Sequence, residues 1–449
     1  MTTKYWANGT AGFASTGTWS PVGAPANGDD VVIDSHSYQD LGWDLGAVTL
    51  NSFACTGNAS ATRSQAITLS AALNVTNALS ILSLHATNTI TVNTSTFAIN
   101  CGALTLDTRG CLSQTGTAGN VTCTSFTQSG VGSVLTGKVN ASITCSGNFT
   151  YMNSGLTSDT VNLILTGPNT TLHSTNNSYI PFHGLTVLNG ANVLIDTFFQ
   201  VTTTFHIFGT LTTGTNEVSI MNAAIDGTIV TGIINSGANS STSGIEFVQI
   251  TDMSDRTLGV TTGIFNGQIN FRHHVNSGAS RAIKLSNDFH GTGLIYIFSE
   301  RAVETMTLDL NGYNLSCNGL IVGTRGILLG RTGIINNSGN LDTSAGTFTA
   351  GTSTYITSSA SSTLILAAGG TLYNFIAKSS VITLLANATI SKLFAHSNPV
   401  IKGAYTLTLT DPTKEYTGMR RPIRLPLKKL DIGQVCAQCG WMRNLGALL

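Results

Sequence analysis

Acidic side chains are rare in this chain, and they gather in one part of it. Only 9% of the 449 residues are charged, yet three carboxylates fall within residues 246–255 and three more follow before residue 305. Glycoside hydrolysis needs two carboxylates about 5 to 9.5 Å apart beside a bound sugar. The residues available for this chemistry are Glu246, Asp252, Asp255, Asp288, Glu300 and Glu304. We take the first three as candidate ligand-binding residues.

Two adjacent histidines, His273 and His274, lie in the same region and join the candidate ligand-binding residues. An imidazole can act as an acid, a base or a metal ligand. Adjacent residues of a β-strand point to opposite faces, so at most one of the two is expected to face a given groove. None of these patterns is specific to an enzyme. We therefore assign no catalytic residue and no cofactor, and favour a non-enzymatic role over a glycoside hydrolase or polysaccharide lyase.

A Cys-x-x-Cys pair, formed by Cys436 and Cys439, is the metal-ligand candidate of the sequence. Such a pair is half of a tetrahedral zinc site, and the chain contains no second pair of this kind. We therefore assign no metal site and favour two free thiols or a local disulfide, with a zinc site completed by another subunit as the alternative. Thioredoxin-like chemistry would need a βαβ setting, which the sequence does not predict.

Three other cysteines indicate the fold. Cys101, Cys123 and Cys145 recur every 22 residues, and a β-branched residue stands two positions before each of them. Helices repeat near 3.6 residues, so an even spacing of 22 predicts a coil that returns to the same place once per circuit. We call one such circuit a rung. The three side chains are expected to stack inside successive rungs of a parallel β-solenoid as buried free thiols, because parallel side chains have poor torsions for disulfide bonding.

The rest of the chain predicts the same all-β architecture. Short runs such as "AITLSAALNVTNALSILSL" and "NTITVNTSTFAI" alternate apolar with polar residues, as half-buried strands do. Gly, Asn and Ser clusters between them supply turns. No proline occurs between Pro181 and Pro399, which favours an unbroken β-body there. Residues 46–410 would form roughly 16 rungs at a rise of about 4.8 Å each, with essentially no helix.

We divide the chain into five segments. Trp6, Trp19 and Trp43 indicate an aromatic cap that closes the first rung, although tryptophans also stack on carbohydrate. A local rise in charge, histidine and aromatic content marks irregular rungs or a loop-rich insertion. The predicted segments are a cap at 1–45, a solenoid at 46–239, irregular rungs or a loop-rich insertion at 240–304, a second solenoid stretch at 305–410 and an extended basic arm at 411–449.

The arm carries seven of the 21 Lys and Arg residues within positions 414–449. Its prolines prevent continuous strand pairing, so the segment is expected to leave the solenoid. Basic and apolar side chains together favour docking on an acidic neighbour in a larger assembly. A solvated tail and a nucleic-acid contact are the alternatives. The expected attachment residues are Arg420, Arg421, Arg424, Lys428 and Lys429.

Short stretches resemble known β-solenoid proteins. The segment "KYWANGTAGFASTGTWSPVGAPANGDDVVID", with Trp6, Trp19, Gly28, Asp29 and Asp30, resembles the N-terminal motif of bacterial-surface and phage-virion solenoids. The stretch "MTLDLNGYNLSCNGLIV" resembles a rung of the pectin-lyase-like right-handed β-helices. The resemblance implies a right-handed parallel β-helix in a phage tail fibre, tail spike or other virion appendage. A polysaccharide-degrading tailspike enzyme and a cellular surface adhesin or filament subunit are the alternatives.

The resemblance also implies partners and a location. Viral spikes of this type are usually homotrimers, and they contact a host-surface glycan and other virion proteins, here through the arm. Nucleic acid is not expected as a partner. The sequence shows neither a secretory signal nor an apolar run long enough to span a bilayer. We therefore expect a virion protein assembled in the host cytoplasm, with the extracellular surface as the alternative.

Overall fold

The computed structural model describes two compact units, residues 1–237 and 238–449, each of which we describe by itself. Together they contain about 16 rungs. Within the described part of the chain, no helix has the length and apolar character that a membrane span requires. The described residues are 1–410 without 38, 58–62, 117, 139, 153–159, 176–180, 238–243, 250–253, 275–279, 368–369, 380 and 397–399.

The described residues of the first unit form short strands and one four-residue helix, α1 (Ala223–Asp226). Its strands are β1 Thr3–Trp6, β2 Gly12–Phe13, β3 Trp19–Ser20, β4 Asp30–Ile33, β5 Leu41–Trp43, β6 Thr49–Leu50, β7 Ser52–Cys55, β8 Gln65–Leu69, β9 Leu73–Val75, β10 Ala78–Ile81, β11 Ile90–Asn93, β12 Ile99–Leu106, β13 Gly110–Ser113, β14 Val121–Gln128, β15 Val134–Thr136, β16 Ser142–Cys145, β17 Phe149–Tyr151, β18 Asn162–Leu165, β19 Thr170–Ser174, β20 Phe182–Val187, β21 Asn192–Ile195, β22 Phe199–Ile207, β23 Thr210–Gly214, β24 Glu217–Met221, β25 Thr228–Val230 and β26 Ile233–Ser236.

Apart from the antiparallel pair β1–β3, strands of the first unit pair in parallel with the strand one rung later, so strand order follows the chain. The longer strands β12 and β14 each take part in two of the resulting ladders. The three ladders run β4–β7–β10–β12–β14–β17–β19–β21–β23–β26, β6–β9–β12–β14–β16–β18–β20–β22–β25 and β2–β5–β8–β11–β13–β15.

The second unit is built from strands alone among its described residues. These are β27 Gly244–Gln249, β28 Arg256–Thr257, β29 Ile264–Asn266, β30 Ile269–His273, β31 Arg281–Lys284, β32 Phe289–His290, β33 Ile295–Ser299, β34 Met306–Asp309, β35 Leu315–Cys317, β36 Leu320–Val322, β37 Gly326–Leu329, β38 Ile334–Asn337, β39 Leu341–Asp342, β40 Thr347–Thr349, β41 Thr354–Thr357, β42 Ser361–Ile365, β43 Thr371–Ala377, β44 Val381–Leu384, β45 Ala388–His396, β46 Val400–Lys402 and β47 Leu407–Leu409.

Three parallel ladders also form the second unit, and each rung contributes a strand to two or three of them. The all-β parallel solenoid predicted from the sequence is therefore confirmed. The ladders are β27–β30–β33–β36–β39–β42–β44–β46, β28–β31–β34–β37–β40 and β32–β35–β38–β41–β43–β45–β47.

Apolar side chains stack on one another in the interior of the first unit. Phe126, Phe149, Leu172 and Ile195 are register partners on successive rungs, and all four are buried. The two phenylalanine rings lie nearly parallel, with centroids 4.4 Å apart. Alternate residues of the same strands face outward, so the core side of each strand is set by a period of two.

The cysteine ladder predicted from the 22-residue spacing is also confirmed. Cys101 pairs in register with Cys123, and Cys123 with Cys145. All three are buried free thiols. Burial raises the pKa of Cys101 to about 12. These cysteines therefore act as small apolar core residues.

Asn and Asp side chains repeatedly tie one rung to the next. A side-chain oxygen near the start of a strand accepts a hydrogen bond from a backbone N–H one rung later, which fixes the register at that point. These bonds are 2.8 to 3.0 Å long. Written as backbone donor to side-chain acceptor, they are Thr49 to Asn27, Ala66 to Asp40, Ser142 to Asn120, Thr171 to Asn148, Ala282 to Asp255, Asn314 to Asp288, Ile334 to Asn314, Thr363 to Asn340 and Thr406 to Asn387.

The N-terminal residues close the first rung. Strand β1 pairs in parallel with β4 on one side and antiparallel with β3 on the other, so its outer edge is covered. Trp6 and Trp19 are buried with their rings edge to face, 5.1 Å between centroids. Trp43 is also buried and donates its indole hydrogen to Ala72 O. The tryptophans therefore act as a cap, and their rings are not exposed for carbohydrate stacking.

Replacement of Phe149 by alanine tests the packed interior. The ring is fully buried against Phe126, so Phe149→Ala should lower the free energy of unfolding by about 3–5 kcal/mol. Thr150→Ala is the control, because the neighbouring side chain faces outward and its loss should change stability by less than about 0.5 kcal/mol. Equal effects of the two variants in urea unfolding would contradict the assigned register.

Thiol labelling tests the cysteine ladder separately. Iodoacetamide reacts with an accessible thiolate, and Cys101, Cys123 and Cys145 are all buried. Peptides containing these residues should remain unmodified in the folded protein and become fully modified in urea, as measured by mass spectrometry. Rapid labelling of any of the three under native conditions would show that the ladder does not lie inside the solenoid.

Candidate functional site

Strands β27, β30 and β33 place the acidic candidate Glu246 beside residues of the next two rungs. Glu246 pairs in register with Asn270, and Asn270 with Tyr296. The neighbours of Glu246 in β27, Ile245 and Phe247, belong to the apolar core. Because side chains alternate along a strand, Glu246 lies on the outer face of this sheet.

Glu246 is nevertheless fully buried, and both of its carboxylate oxygens are engaged. Oε2 lies 2.6 Å from Arg272 Nη1, and Oε1 accepts a hydrogen bond of 3.1 Å from Asn270 Nδ2. Gln268 Nε2 in turn donates to Asn270 Oδ1 at 2.8 Å. A buried carboxylate held in this way is compensated by the arginine charge, and removal of either partner would leave the other charge buried.

Arg272 links Glu246 to two exposed side chains. Its Nε lies 3.3 Å from Glu300 Oε1, and its Nη2 lies 3.0 Å from His274 Nδ1. His274 Nδ1 is also 2.6 Å from Glu300 Oε2. His274 and Glu300 are 42% and 37% exposed, whereas Glu246 is 0% exposed. We call Glu246, Arg272, His274 and Glu300 the Arg272 cluster; its two ends differ in access to solvent.

Two aromatic residues of β33 flank the Arg272 cluster. Phe298 is the register partner of Arg272, and Tyr296 stacks on Phe298 with ring centroids 4.3 Å apart. Tyr296 lies over Gly323, where a Cβ atom would come within 2.4 Å of the ring, so glycine leaves space for the tyrosine. Burial raises the pKa of the Tyr296 hydroxyl, which is therefore a neutral donor at pH 7. Charged, amide and aromatic groups thus meet on one outer face.

The other predicted site residues lie elsewhere. His273 is buried and points to the opposite face of β30 from His274, as strand alternation predicts. Asp255 precedes β28 on a different sheet, where it accepts a hydrogen bond from Ala282 N and lies 4.0 Å from Lys284 Nζ. Asp252 lies outside the described residues. So do the attachment residues and the cysteine pair: Arg420, Arg421, Arg424, Lys428, Lys429, Cys436 and Cys439.

Sequence reasoning missed Arg272, the residue that holds the cluster together. The signal was present: Arg272 stands two positions before His274, so both face the same side of β30. Its acidic partners are 26 and 28 positions away, one rung back and one rung on. Only the register between rungs shows that they meet.

The chemistry of this arrangement favours binding. Both oxygens of Glu246 are engaged with Arg272 and Asn270, so this carboxylate is poorly placed to exchange protons with a sugar. His274, Glu300 and Tyr296 present donors, acceptors and an aromatic ring toward the accessible side. Among the described residues there is no group of three or more His, Cys, Asp or Glu side chains arranged to hold a metal ion.

Comparison with protein-family models, with curated proteins and with solved structures finds no match to this chain.

Substitution of Arg272 by methionine tests its role as the counter-charge of Glu246. Arg272→Met leaves a buried carboxylate without this partner and should cost about 3–5 kcal/mol in urea unfolding. The double variant Glu246→Gln/Arg272→Met should recover most of that loss because no buried charge remains. Arg63→Met removes an exposed arginine paired with Asp40 at 3.4 Å and serves as the control. A double variant no more stable than Arg272→Met would contradict this account.

The buried His273 predicts a pH dependence of stability. Burial lowers the pKa of His273; nearby Glu304 opposes this shift, while Arg281, Arg301 and His274 add to it. Because the folded-state pKa of His273 lies below the unfolded value of about 6.5, the neutral imidazole is favoured in the folded protein. The contribution of His273 to the free energy of unfolding is therefore fully present above about pH 6.5 and is lost as the pH decreases. His273→Gln should reduce the loss of stability between pH 7 and pH 5, whereas the exposed control His290→Gln should not. An unchanged pH profile in His273→Gln would contradict the assignment.

Proposed function

We propose that this chain is a structural subunit of a virion surface appendage, of the tail-fibre or tail-spike kind, which contacts the host surface. The observation that carries the proposal is the parallel β-solenoid itself, in which successive described rungs are hydrogen-bonded to each other within each unit. Such a scaffold is rigid and exposes a repeating outer surface on which binding residues can be placed. β-Solenoids of this kind suit tail spikes, fibres and adhesins.

The proposed host contact is a glycan held near the Arg272 cluster. His274 and Glu300 offer charged hydrogen-bonding groups at the accessible end, and Tyr296 offers an aromatic ring beside them. Aromatic faces and hydrogen-bonding side chains are the groups that orient a small polar ligand. Glu246 supports this surface from below through Arg272. Of the remaining candidates, Asp255 is exposed on a neighbouring sheet and His273 packs inside, so their part in binding is indirect.

Assembly is the second part of the proposal. The subunit is proposed to act as a homotrimer within the virion and to join other virion proteins through the basic arm at 411–449. Arg420, Arg421 and Arg424 would form bidentate contacts with carboxylates of the partner, and Lys428 and Lys429 would add point charges. Assembly would take place in the host cytoplasm.

Glycan recognition is tested with polysaccharide purified from the host surface. The full chain should retain this polymer in a binding assay without shortening it, as shown by size-exclusion chromatography of the polymer after incubation. His274→Ala and Glu300→Gln should weaken retention several-fold, since each removes one exposed charged contact. Shortening of the polymer would instead support a polysaccharide-degrading spike, and unchanged retention in both variants would remove the Arg272 cluster from the binding surface.

Deletion of the arm tests attachment. A chain ending at residue 410 should keep the far-ultraviolet circular dichroism of the solenoid but should not incorporate into particles, as measured by immunoblot of purified virions. Replacement of all five attachment residues by glutamine is the matched variant, because it removes the charges and keeps the length. Incorporation of either variant at the wild-type level would contradict the attachment role.

A further inference from the structure

An open groove on the outside of the first unit crosses four successive rungs. It has a volume of about 340 Å³. Its lining combines the polar residues Thr49, Asn74, Thr76, Asn100 and Thr124 with Val75, Cys101 and Gly102. We call it the Asn–Thr groove. It lies where the chain bends between β6 and β7, between β9 and β10, and within β12 and β14.

Gly102 forms the floor of the groove at the bend of β12. A Cβ atom at this position would lie 2.0 Å from Asn77 O, so only glycine fits here without a backbone shift. Glycine therefore lets the backbone of β12 approach the backbone of the preceding rung closely. The walls are then supplied by residues that flank the bend on each rung.

The walls present hydrogen-bonding groups that the protein does not use itself. Asn100 Nδ2 donates to Asn74 Oδ1 at 2.9 Å, and Asn74 Nδ2 donates to Gly46 O at 3.1 Å, which orients both amides. Among the described residues, Asn100 Oδ1 and the hydroxyls of Thr49, Thr76 and Thr124 have no hydrogen-bond partner, and all four side chains are exposed. Such groups recur at the spacing of the rungs, about 4.8 Å.

The charge of the groove restricts its ligand. No Lys, Arg, Asp or Glu lines it, and burial raises the pKa of the Cys101 thiol at its floor to about 12, so the surface is neutral at pH 7. Nucleic acids and acidic polymers bind through cationic side chains, which are missing from this lining. A neutral ligand rich in hydroxyl groups matches the amide and hydroxyl walls.

The backbone of the groove excludes an added strand. Strand β9 pairs with β6 on one side and β12 on the other, and β12 pairs with β14, so no free strand edge is available to an extended peptide. Recognition must therefore come from side chains that repeat along the solenoid axis. A polymer with hydroxyl groups at regular intervals is the ligand that such a row can hold at several points at once.

We propose that the Asn–Thr groove binds a neutral polysaccharide that lies along the solenoid axis across the four rungs. The inference rests on the proposed function and deepens it, because it adds a second glycan contact and gives its chemical class. The Arg272 cluster is charged, whereas this groove selects for hydroxyl groups without charge.

The test is affinity electrophoresis of the full chain in gels that contain dextran, mannan, galactan or acidic polygalacturonate. At least one neutral polymer should retard the wild type, and retardation should not change between 50 and 500 mM salt, a range chosen because ionic contacts weaken across it. Thr76→Val/Thr124→Val removes two hydroxyls at nearly constant volume and should weaken binding roughly tenfold. Asn100→Leu should act in the same direction.

Thr307→Val/Thr363→Val is the matched control, since it makes the same change at two half-buried outer positions of the second unit and should leave retardation unchanged. Thermal unfolding followed by circular dichroism checks that all variants fold. The groove proposal would be overturned if only polygalacturonate, or none of the four polymers, retarded the wild type. It would also be overturned if the groove variants bound like the wild type. A chain that still incorporates into virions and binds host polysaccharide through His274 and Glu300 would keep the proposed function while the groove proposal fails.

Discussion

The parallel hydrogen-bonded ladder between successive rungs is the constraint on which the rest of the structure depends. In a parallel ladder each residue has one partner in the rung before and one in the rung after, so a single register decides every contact along the axis. A shift by one residue would move core side chains such as Phe149 to the surface. The Asn and Asp side chains that bond to the next rung, including Asn120 and Asp288, oppose such a shift because each accepts one particular backbone hydrogen.

The core follows from this register. Side chains of similar size stand above one another, and the buried amide of Asn337 is fully hydrogen-bonded. Its Oδ1 accepts a hydrogen bond from Gly319 N at 2.8 Å, while its Nδ2 donates to Asn340 O and to Tyr355 Oη. A buried amide that satisfies its bonds in this way stabilises a single arrangement of neighbouring rungs. Rigidity of the interior then holds the outer side chains in fixed positions.

Both candidate binding surfaces are assembled across rungs. The Arg272 cluster takes Glu246, Arg272 and Glu300 from three consecutive rungs of the second unit, and the Asn–Thr groove takes its walls from four rungs of the first. Their chemistry differs. One surface balances opposite charges around a guanidinium and lies beside an aromatic pair, whereas the other is neutral, with amides and hydroxyls beside Val75 and Cys101. We propose an elongated glycan as the ligand of both, since a solenoid repeats its side chains from rung to rung as a polysaccharide repeats its sugars.

The sequence by itself determined the fold class, the cysteine ladder, the aromatic cap and the opposite orientation of His273 and His274. Those features depend on a period of two along a strand and on one even spacing of 22 residues, and both can be read directly. Only the tertiary structure decided that Arg272 joins Glu246 to Glu300, that Asp255 lies apart from them, and that Gly102 lies where two rungs approach closely. Rungs differ in length: Arg272 is 26 residues from Glu246 and 28 from Glu300, whereas Thr354 and Asn374 are 20 apart. With unequal rungs, the neighbour of a side chain across the ladder cannot be counted from the sequence, because the length of each connecting loop sets which residues face each other.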